Sequence, residues 1–401
     1  MPLDFLSVKQ QIQRLAADAP AQLKHLEILR RHAGELLSAY AAKGAELRAK
    51  VEQAAAEDSF LRAAKPTDEA LNATFPLPAA PAQATIIAAD GSQISPSRHE
   101  AMNYFLINLG AIQLTPSTGE TPTTFTRSEL HVAEYDARGS YTEDMVAQAR
   151  DKGERVLLAE LARAELATAE LAAKSPQLIF TLTDGPLELW GGRSRDPDEL
   201  ESFAKHFEDY LAALRSLHAA GAATAGYVDK PRADLVVRAL EVAATPQDQL
   251  ADMRHSRPLR GVTDYDLFAG LLAPGARSAI FALQSQLSPK YDGALALHFF
   301  YLNVGSQKTP WLARVEMPAW VAESAAMLNG LHALLIGQCN VMGILSYPYA
   351  LHRAHEIAIV SREEKDQVTQ MLLAEWRAQG LTAGVVSHKQ AIKDLPGRTR
   401  S

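Results

Sequence analysis

Residues 82–91 read AQATIIAADG, and this stretch determines how the rest of the chain can be interpreted. A short run of apolar and β-branched residues at 85–89 ends in Asp-Gly-Ser at 90–92, which is typical of a buried strand that stops in a tight turn. The pattern recurs at residues 178–182, LIFTL, which lead into Thr-Asp-Gly-Pro at 183–186. The sequence therefore predicts two buried strands that each end in an aspartate.

The two aspartates, Asp90 and Asp184, define a candidate site. Open α/β sheets place their chemistry at the carboxyl ends of strands, so two such strands can bring both carboxylates to one edge. A carboxylate pair with no cysteine or histidine cluster beside it suits hard cations with oxygen ligands, such as Mg²⁺ or Mn²⁺. The alternative is that each Asp-Gly is only a turn, because both residue types are common in turns.

Composition and charge narrow the class of protein. The chain has 401 residues, 47% hydrophobic and 22% charged, which is enough for two or three domains or for one large core with helical additions. Its net charge of −7 argues against a passive nucleic-acid coat, so contact with phosphates needs a local basic patch or metal ions. The single cysteine, Cys339, excludes an intramolecular disulfide and Cys-rich zinc sites. We expect a soluble, cytoplasmic protein without a membrane segment.

The chain divides into four expected segments. Residues 1–65 are predicted to form an N-terminal helical region of two or three long helices, broken near Pro20. Residues 66–81 are rich in proline and alanine and are predicted to form a linker. Residues 82–360 form the main domain, and residues 361–401 form a helix followed by a basic tail.

The main domain begins with a recognisable order of elements: strand, strand, strand, helix, strand. After the first strand, we expect strands at 103–114 and 128–135, a long helix at 142–174, and a strand at 177–184. An aspartate at the end of the first and fourth strands, in this order of elements, is the plan of the ribonuclease-H-like nucleases. The predicted fold class is therefore α/β, with a ribonuclease-H-like mixed sheet flanked by helices. In that plan, the third metal-binding carboxylate comes from the intervening helix.

The long helix offers several glutamates for this role. At 100° per residue, Glu165 lies on the same face as a stripe of leucines and alanines, where a charge is costly unless it is paired or coordinates a cation. Glu160 lies on a more polar face and is the second choice. Glu154 shares the face of Glu165, but three turns earlier. We select Glu165.

Basic residues later in the chain are candidate phosphate contacts: Lys230, Arg232, Arg257, Arg260 and Arg314. The basic run at 253–260, MRHSRPLR, has a solvated loop as its alternative. Arg314 alternates with Glu316 in an apolar strand, so an ion pair between the two is equally compatible with the sequence.

Taken together, these segments resemble the NurA family of prokaryotic DNA nucleases. The matching stretches are AADGSQISPSRHE (88–100), LTDGPLELW (182–190), YVDKPRADLV (227–236), TDYDLFAGLLAPGARS (263–278), FFYLNV (299–304), ARVEMP (313–318) and SYPYALHRAHEIA (346–358). They cover the chain from about residue 80 to residue 360 in order. The N-terminal helical region lies outside the matches.

The resemblance implies a ribonuclease-H-like fold and Mn²⁺-dependent DNA cleavage, possible with Mg²⁺, using two metal ions per site. It implies single-strand endonuclease activity and 5′→3′ exonuclease activity on single- and double-stranded DNA. It also implies a homodimer that docks on a hexameric HerA-type DNA translocase for the resection of double-strand breaks. The chain has no GxxxxGK[ST] motif, so we expect the motor to be a partner.

The same resemblance assigns residues. The metal ligands fall on Asp90, on a helix glutamate taken as Glu165, and on Asp184. A tyrosine and a histidine near the end of the domain complete the catalytic set, and we place them at Tyr347 and His355. The same segment also offers Tyr349 and His352.

Two other functions are compatible with the sequence. One is a catalytically silent ribonuclease-H-like adaptor that binds DNA for a motor. The other is a different phosphoryl-transfer enzyme with the same carboxylates, such as a ribonuclease or a Holliday-junction nuclease, because the choice of sugar depends on contacts that the sequence does not reveal.

Overall fold

The structure is a computed structural model that describes residues 3–96, 102–116, 118–132, 141–171, 177–192 and 194–380. The helices are α1 (Phe5–Ala39), α2 (Gly44–Glu57), α3 (Glu143–Leu171), α4 (Pro197–Ala219), α5 (Leu235–Ala244), α6 (Asp264–Phe268), α7 (Ala319–Ala322), α8 (Ala325–Val341), α9 (Tyr349–Ala358) and α10 (Arg362–Ala378). The strands are β1 (Ala63–Pro66), β2 (Thr74–Phe75), β3 (Ala84–Ile94), β4 (Tyr104–Leu114), β5 (Thr123–Val132), β6 (Leu178–Asp184), β7 (Ala223–Val228), β8 (Arg277–Ser278), β9 (Phe281–Gln284), β10 (Leu297–Asn303) and β11 (Leu312–Pro318). Short 3-10 helices lie at Gln247–Arg254, Ser288–Lys290, Gly293–Leu295 and Gly343–Leu345.

The chain folds into two compact units, and each unit contains two separate parts of the sequence. Unit 1 comprises residues 1–79 and 227–336, and unit 2 comprises residues 80–226 and 337–401. The chain passes from one unit to the other after residue 79, within β7 and again within α8. This division differs from the four consecutive segments expected from the sequence.

The sheet of unit 2 has the strand order β7-β6-β3-β4-β5. β3 pairs antiparallel with β4 and parallel with β6, and β4 pairs antiparallel with β5. Three antiparallel strands, extended on the side of the first strand by a strand parallel to it, form the ribonuclease-H-like arrangement. The mixed sheet predicted from the sequence is therefore confirmed. The parts of the predicted elements at 133–135 and 172–174, and residues 97–100 of the first matching stretch, lie outside the described residues.

The helix α3 covers one face of this sheet. Alternate residues of a strand share a face, so Thr85 and Gly91 of β3 point to the same side. The Thr85 hydroxyl donates to Oε1 of Glu165 in α3 at 3.0 Å. Six residues further along β3, a Cβ built on Gly91 would lie 2.9 Å from Oε1 of Glu154, also in α3. The helix therefore runs along β3.

The helix α9 lies against the opposite face, and its contact with the sheet is unusually close. A Cβ on Gly110 in β4 would lie 2.5 Å from the backbone nitrogen of Ala358 and 2.8 Å from the carbonyl oxygen of Ala354. The Ala358 carbonyl at the end of α9 also accepts hydrogen bonds from Ser92 (2.5 Å) and Asn108 (2.8 Å), which are partners in the β3–β4 register. These side chains satisfy a carbonyl that the helix itself leaves unpaired.

Unit 1 has its own strands and helices. Its strands are arranged in the order β1-β9-β10-β11, with β8 pairing both β10 and β2. The hairpin β10–β11, expected from the sequence at 295–304 and 311–317, pairs Leu297 with Pro318 through to Asn303 with Leu312. The helices α2 and α5 pack against β1.

Residues 66–79 of the linker predicted at 66–81 are part of unit 1. They include β2, which pairs with β8. Leu71 is 1% exposed, and its backbone N–H donates to the carbonyl of Ala41 at 3.1 Å. The proline content is compatible with this packing because only Pro66, at the end of β1, and the two residues of β2 lie in strands, so few backbone N–H groups are required.

The N-terminal helices also differ from the expectation. α1 is continuous from Phe5 to Ala39 with Pro20 inside it, and the break comes instead between α1 and α2. Only Ala33 and Leu37 of α1 are buried, so the carbonyl that Pro20 leaves without a donor is on an exposed helix, where water can reach it. None of the described helices is long and apolar enough to cross a membrane.

A buried carboxylate, Asp264, organises the centre of unit 1. It is fully buried and accepts hydrogen bonds from the backbone N–H groups of Val236 and Val237 in the first turn of α5, at 2.9–3.0 Å. The Tyr301 hydroxyl from β10 donates to its other side at 2.6 Å. Burial raises the pKa of Asp264 to about 6, although these three donors act in the opposite direction. Asp264 therefore caps α5 from a distant part of the sequence.

Gly110→Ala is expected to destabilise unit 2. The added methyl group meets backbone atoms of α9, which cannot rotate away, so we expect a loss of about 1–3 kcal/mol in the free energy of unfolding. Chemical denaturation measures this loss. Gly337→Ala is the matched control because Gly337 is an exposed position in α8 with no atom within 4 Å of the added Cβ. The control is expected to be neutral or more stable by up to about 1 kcal/mol. Equal effects of the two substitutions would contradict the close contact.

Asp264 makes the stability of the protein depend on pH. The pKa of Asp264 is about 6 in the folded protein and 3.8 ordinarily, so the folded state binds this proton more tightly. The associated stability is present below about pH 4 and is lost as the pH rises to about 6, by up to roughly 3 kcal/mol. In Asp264→Asn this loss is absent. Free energies of unfolding of both proteins across this pH range provide the measurement, and parallel curves would contradict the assignment.

Candidate active site

The candidate site is built on the parallel pairing of β3 and β6. The register pairs Ala89 with Thr183, so Asp90 and Asp184 are the next residues on the two strands and point to the same face. Adjacent strands lie about 4.8 Å apart, which places the two carboxylates side by side. The expectation that the two Asp-Gly motifs meet at one edge therefore agrees with the observed register.

The two strands end differently at this point. β6 ends at Asp184, and Gly185, with a φ of 86°, turns the chain away in a conformation that favours glycine. β3 continues to Ile94 while paired with β4 only. The flank of β3 beyond Ala89 therefore has no strand beside it from β6, and groups from both faces of the sheet can reach the same space.

His355 comes to this edge from α9. Its Nδ1 lies 2.6 Å from Oδ2 of Asp90, while Oδ1 of Asp90 accepts from the backbone N–H of Gly91 at 2.8 Å. An ionised carboxylate can only accept, so Nδ1 of His355 carries the proton in this pair and Nε2 is left for a substrate. The side chain of His355 is 61% exposed.

The alternatives to His355 and Tyr347 lie elsewhere in the same segment. His352 lies one turn earlier on α9 and pairs with Glu356 at 3.5 Å. Tyr347 is half-buried, two residues before the start of α9, and Tyr349 is the first residue of that helix. The structure brings His355 to Asp90, and it does not place either tyrosine on the wall of the cavity described below.

Glu154 of α3 is the third carboxylate at this edge. It is 7% exposed, and burial, together with the charges of Asp151 and Asp90, raises its pKa well above the ordinary value. Arg150, one turn earlier, lies 3.7 Å from it, and Arg150 and Arg155 act in the opposite direction on this pKa. The carboxylate of Glu154 is therefore buried close to two other negative charges, those of Asp151 and Asp90.

These residues surround one cavity of about 380 Å³. Its acidic lining residues are Asp90, Asp151, Glu154, Asp184 and Glu188, and its basic and imidazole residues are Arg150, Arg155 and His355. Arg155 is 2% exposed and donates hydrogen bonds to the hydroxyl groups of Thr183 and Thr224. Carboxylates and guanidinium groups thus line the same space.

Glu165, selected from the sequence, does not reach this cavity. Its Oε1 accepts from Thr85 and Gln177 at 3.0 Å, and its Oε2 accepts from Gln113 at 2.7 Å. Thr85 precedes Asp90 by five residues, which is about 16 Å along a strand. The charge on the apolar face of α3 is therefore explained by three hydrogen bonds to polar side chains.

Glu160, the second choice, does not reach it either, because it forms an ion pair with Arg127 of β5 at 2.5 Å. Glu154 is the glutamate of α3 that lines the cavity, in place of Glu165 and Glu160. Glu165 follows Glu154 by eleven positions, about 16 Å of helix, so the two glutamates lie on one face at opposite ends of the same stretch of β3. The absence of a side chain at Gly91 leaves room for Glu154 and for Arg150, a close approach that only the structure reveals.

The carboxylate side chains that line the cavity are of the chemical type that binds a divalent cation. All of the carboxylate groups on the wall of this cavity are oxygen donors, which divalent cations such as Mg²⁺ and Mn²⁺ prefer. As they stand, no three His, Cys, Asp or Glu side chains among the described residues are close enough together to hold a metal ion. Asp90, Glu154 and Asp184 are the residues that would hold it.

The candidate phosphate contacts all lie in unit 1, and the structure separates them into two groups. Arg314 is 6% exposed and pairs with the buried Glu316 at 2.8 Å, so the ion-pair interpretation is correct and Arg314 is not available to DNA. Arg257 is bound to Asp234 and to Glu241, the latter at 3.1 Å.

The remaining three candidates are exposed. Arg232 and Arg260 are exposed, and so is Lys230, whose Nζ lies 5.2 Å from the centre of the Trp311 ring. These three residues remain candidates for contact with phosphates. The basic tail at 387–401 lies outside the described residues.

The fold and the carboxylate-lined edge define a protein of the ribonuclease-H-like class. The chain belongs to the NurA family, because the NurA domain matches residues 84–360. Among solved structures, it is similar to the NurA nuclease from Sulfolobus solfataricus (11% identity over 77% of this chain and 88% of that chain, TM-score 0.44). It is also similar to the catalytic domain of human Endonuclease V (14% identity, 74% and 84% covered, TM-score 0.29) and to Drosophila Piwi (12% identity, 68% and 29% covered, TM-score 0.29). No functionally curated protein matches the chain.

Proposed function

We propose that this chain is a divalent-metal-dependent DNA nuclease whose active site is the cavity at the end of β6. The observation that carries the proposal is the parallel register, which sets Asp90 beside Asp184, with Glu154 and His355 on the same cavity. Membership of the NurA family supports a nuclease. The proposed metal ligands are Asp90, Glu154 and Asp184, and the proposed cations are two Mn²⁺ or Mg²⁺ ions.

Hydrolysis of a phosphodiester requires an activated water, compensation of negative charge at phosphorus, and stabilisation of the leaving oxygen. Bound divalent cations would supply these three effects. The protein's own cationic groups add to them, because Arg150 and Arg155 line the cavity and guanidinium groups bind phosphate oxygens in a fixed geometry. Thr183 and Thr224 hold the guanidinium of Arg155 in place before a substrate arrives.

His355 is proposed to move a proton at the leaving oxygen. Asp90 fixes its Nδ1–H, so Nε2 is the nitrogen that can donate to or accept from the substrate. The high exposure of His355 allows both DNA and water to reach this nitrogen. Tyr347 is proposed to contact the DNA strand from the segment just before α9.

The finer properties are proposals that rest on the family resemblance. They are a preference for Mn²⁺, endonuclease activity on single strands, and 5′→3′ exonuclease activity on single- and double-stranded DNA. They also include homodimer formation, docking on a HerA-type hexameric translocase in the cytoplasm, and a role in resecting double-strand breaks. A catalytically silent DNA-binding adaptor is the alternative, and it predicts DNA binding without cleavage.

The first test compares cleavage by single carboxamide variants. Asp90→Asn, Glu154→Gln and Asp184→Asn are each expected to lower Mn²⁺-dependent cutting of end-labelled single- and double-stranded DNA by about 100-fold or more, because each removes a charged ligand. Glu165→Gln is the matched control on the same helix and is expected to cut DNA like the wild type. EDTA is expected to abolish cutting by all of them.

The outcomes separate the assignments. Equal losses in Glu165→Gln and Glu154→Gln, with both proteins folded by circular dichroism, would contradict the replacement of Glu165 by Glu154. DNA binding by the wild type without cutting in either metal, even with the translocase added, would favour the adaptor.

The second test concerns DNA binding by unit 1. Arg232→Ala with Arg260→Ala, in a cleavage-inactive Asp184→Asn background, is expected to make the slope of log Kd against log salt less steep by about 1.4, since each phosphate contact with single-stranded DNA contributes roughly 0.7. Arg14→Ala with Lys24→Ala on α1 removes the same charge from other exposed positions and is the control. A similar change in both double variants would mean that only net charge matters.

A further inference from the structure

A second cavity lies beside the first one in unit 2. It has a volume of about 320 Å³, at the lower end of ligand-binding pockets, which range from roughly 300 to 1,000 Å³. Residues that line it include Thr142, Asp144, Gln148, Trp190, Gly191 and Glu199. Trp190 lines both cavities, and α3 contributes side chains to both. Whatever binds here is therefore next to the proposed reaction site.

Two glycines shape this cavity. Gly191 and Gly192 have φ values of 147° and 71°, a backbone conformation that favours glycine. A Cβ on Gly191 would lie 2.5 Å from Nε2 of Gln148 and 2.6 Å from the ring of Phe203, and a Cβ on Gly192 would also meet that ring, at 2.7 Å. The Trp-Gly-Gly sequence thus lets the chain pass closely over Phe203 while the indole of Trp190 stays 46% exposed.

The Gln148 side chain is the second observation that indicates a ligand. Gln148 is 9% exposed, and its Oε1 is buried without a hydrogen-bond partner in the described structure. Buried amide oxygens are almost always paired, because leaving one unpaired loses the hydrogen bond that it made with water. Rotation about the last side-chain bond exchanges the amide oxygen and nitrogen, so the Gln148 amide on the wall of this cavity can offer an acceptor or a donor to the polar edge of a ligand.

The charge of this cavity differs from that of the first one. Asp144 and Glu199 line it, and its described lining residues include no lysine or arginine. Such a wall repels phosphate and can accept hydrogen bonds from a neutral ring. An exposed indole beside an amide and two carboxylates matches the face and the polar edge of a nucleobase.

We propose that this second cavity is a base-binding subsite for the DNA strand whose phosphate occupies the first cavity. Trp190 stacks on one base next to the bond that is cut, and the Gln148 amide hydrogen-bonds to the edge of that base. The subsite rests on the proposed nuclease function and deepens it, because it holds the strand so that one phosphodiester lies against Asp90 and Asp184. Stacking accepts any base, so the subsite recognises the presence of a base rather than a sequence.

The test is a cycle that combines protein variants with abasic DNA. Single-stranded oligonucleotides carry one phosphodiester among phosphorothioate linkages, so that only one bond is cut, and each base near this bond is removed in turn. For the wild type, one abasic position is expected to slow cutting by roughly 10-fold. Trp190→Ala is expected to slow cutting of the intact strand by a similar factor and to lose most of its sensitivity to that abasic position. Trp190→Phe can still stack. It is therefore expected to recover most of the wild-type cutting rate on the intact strand and most of the wild-type sensitivity to the abasic position.

Gln148→Met keeps the volume of the side chain and removes the amide. Gln148→Met is expected to slow cutting of the intact strand, and to cut the same abasic strand at the wild-type rate. The subsite is overturned if, for both Trp190→Ala and Gln148→Met, the fold-change caused by the substitution is the same on the intact and the abasic strand. It is also overturned if the wild type cuts every abasic strand as fast as the intact strand.

The same cycle measured as affinity separates this proposal from the nuclease function. Fluorescence anisotropy of the oligonucleotides bound to Asp184→Asn requires no cleavage. If the wild type does not cut DNA but Trp190→Ala and the abasic position remain coupled in binding, the nuclease function fails and the subsite stands. If neither cutting nor binding shows coupling while the wild type cuts DNA normally, the subsite fails alone.

Discussion

The parallel pairing of β3 with β6 is the constraint on which the candidate site depends. Once Ala89 is opposite Thr183, Asp90 and Asp184 must be neighbours on one face of the sheet. A slip of one residue would turn one of the two carboxylates to the other face. Residues 85–89 stabilise this register, because all of them are buried in the core and a slip would change their packing. The other site residues are useful only because this edge is fixed first.

The site concentrates negative charge in a place that burial makes costly. Glu154 lies inside the protein near Asp90 and Asp151, and the raised pKa of Glu154 reflects this cost. Arg150 and Arg155 offset part of this cost. Arg150 pairs with Asp151 and lies near Glu154, whereas Arg155 donates to the Thr183 hydroxyl. A chain with a net charge of −7 thus has, at one edge, both the anions that attract a cation and the guanidinium groups that attract a phosphate.

Much of unit 2 could be predicted from the sequence, because its strands β3, β4 and β6 contain buried apolar runs, whereas β5 is mostly polar and exposed. The helix glutamate could not be chosen in this way. Periodicity gives the face of a helix but not which turn lies over the end of a strand, so Glu165 and Glu154 are equivalent until the packing of α3 on β3 is known. A buried glutamate also has two explanations, a cation or polar side chains, and Thr85, Gln113 and Gln177 supply the second one for Glu165.

Unit 1 was harder to predict, for a different reason. Its short strands β1, β2, β8 and β9 have two to four residues each, too few for an alternating pattern to be visible. Arg314 illustrates the same difficulty for charges: a strand that alternates charged and apolar residues suggests an exposed face, yet both Arg314 and Glu316 are buried and neutralise each other. Whether a face is covered depends on distant parts of the chain, which local patterns do not encode.

The contact between α9 and β4 limits how the site can move. Helices usually rest on sheets through a layer of side chains, and small sliding motions of packed helices occur by adjustment within such a layer. At Gly110 that layer is missing, and Ser92 and Asn108 tie the last carbonyl of α9 to the sheet. Shear of α9 along the strands is therefore blocked. Adaptation of the candidate site to a substrate is therefore expected from side chains such as His355 and from the turn that begins at Gly185, and not from sliding of α9.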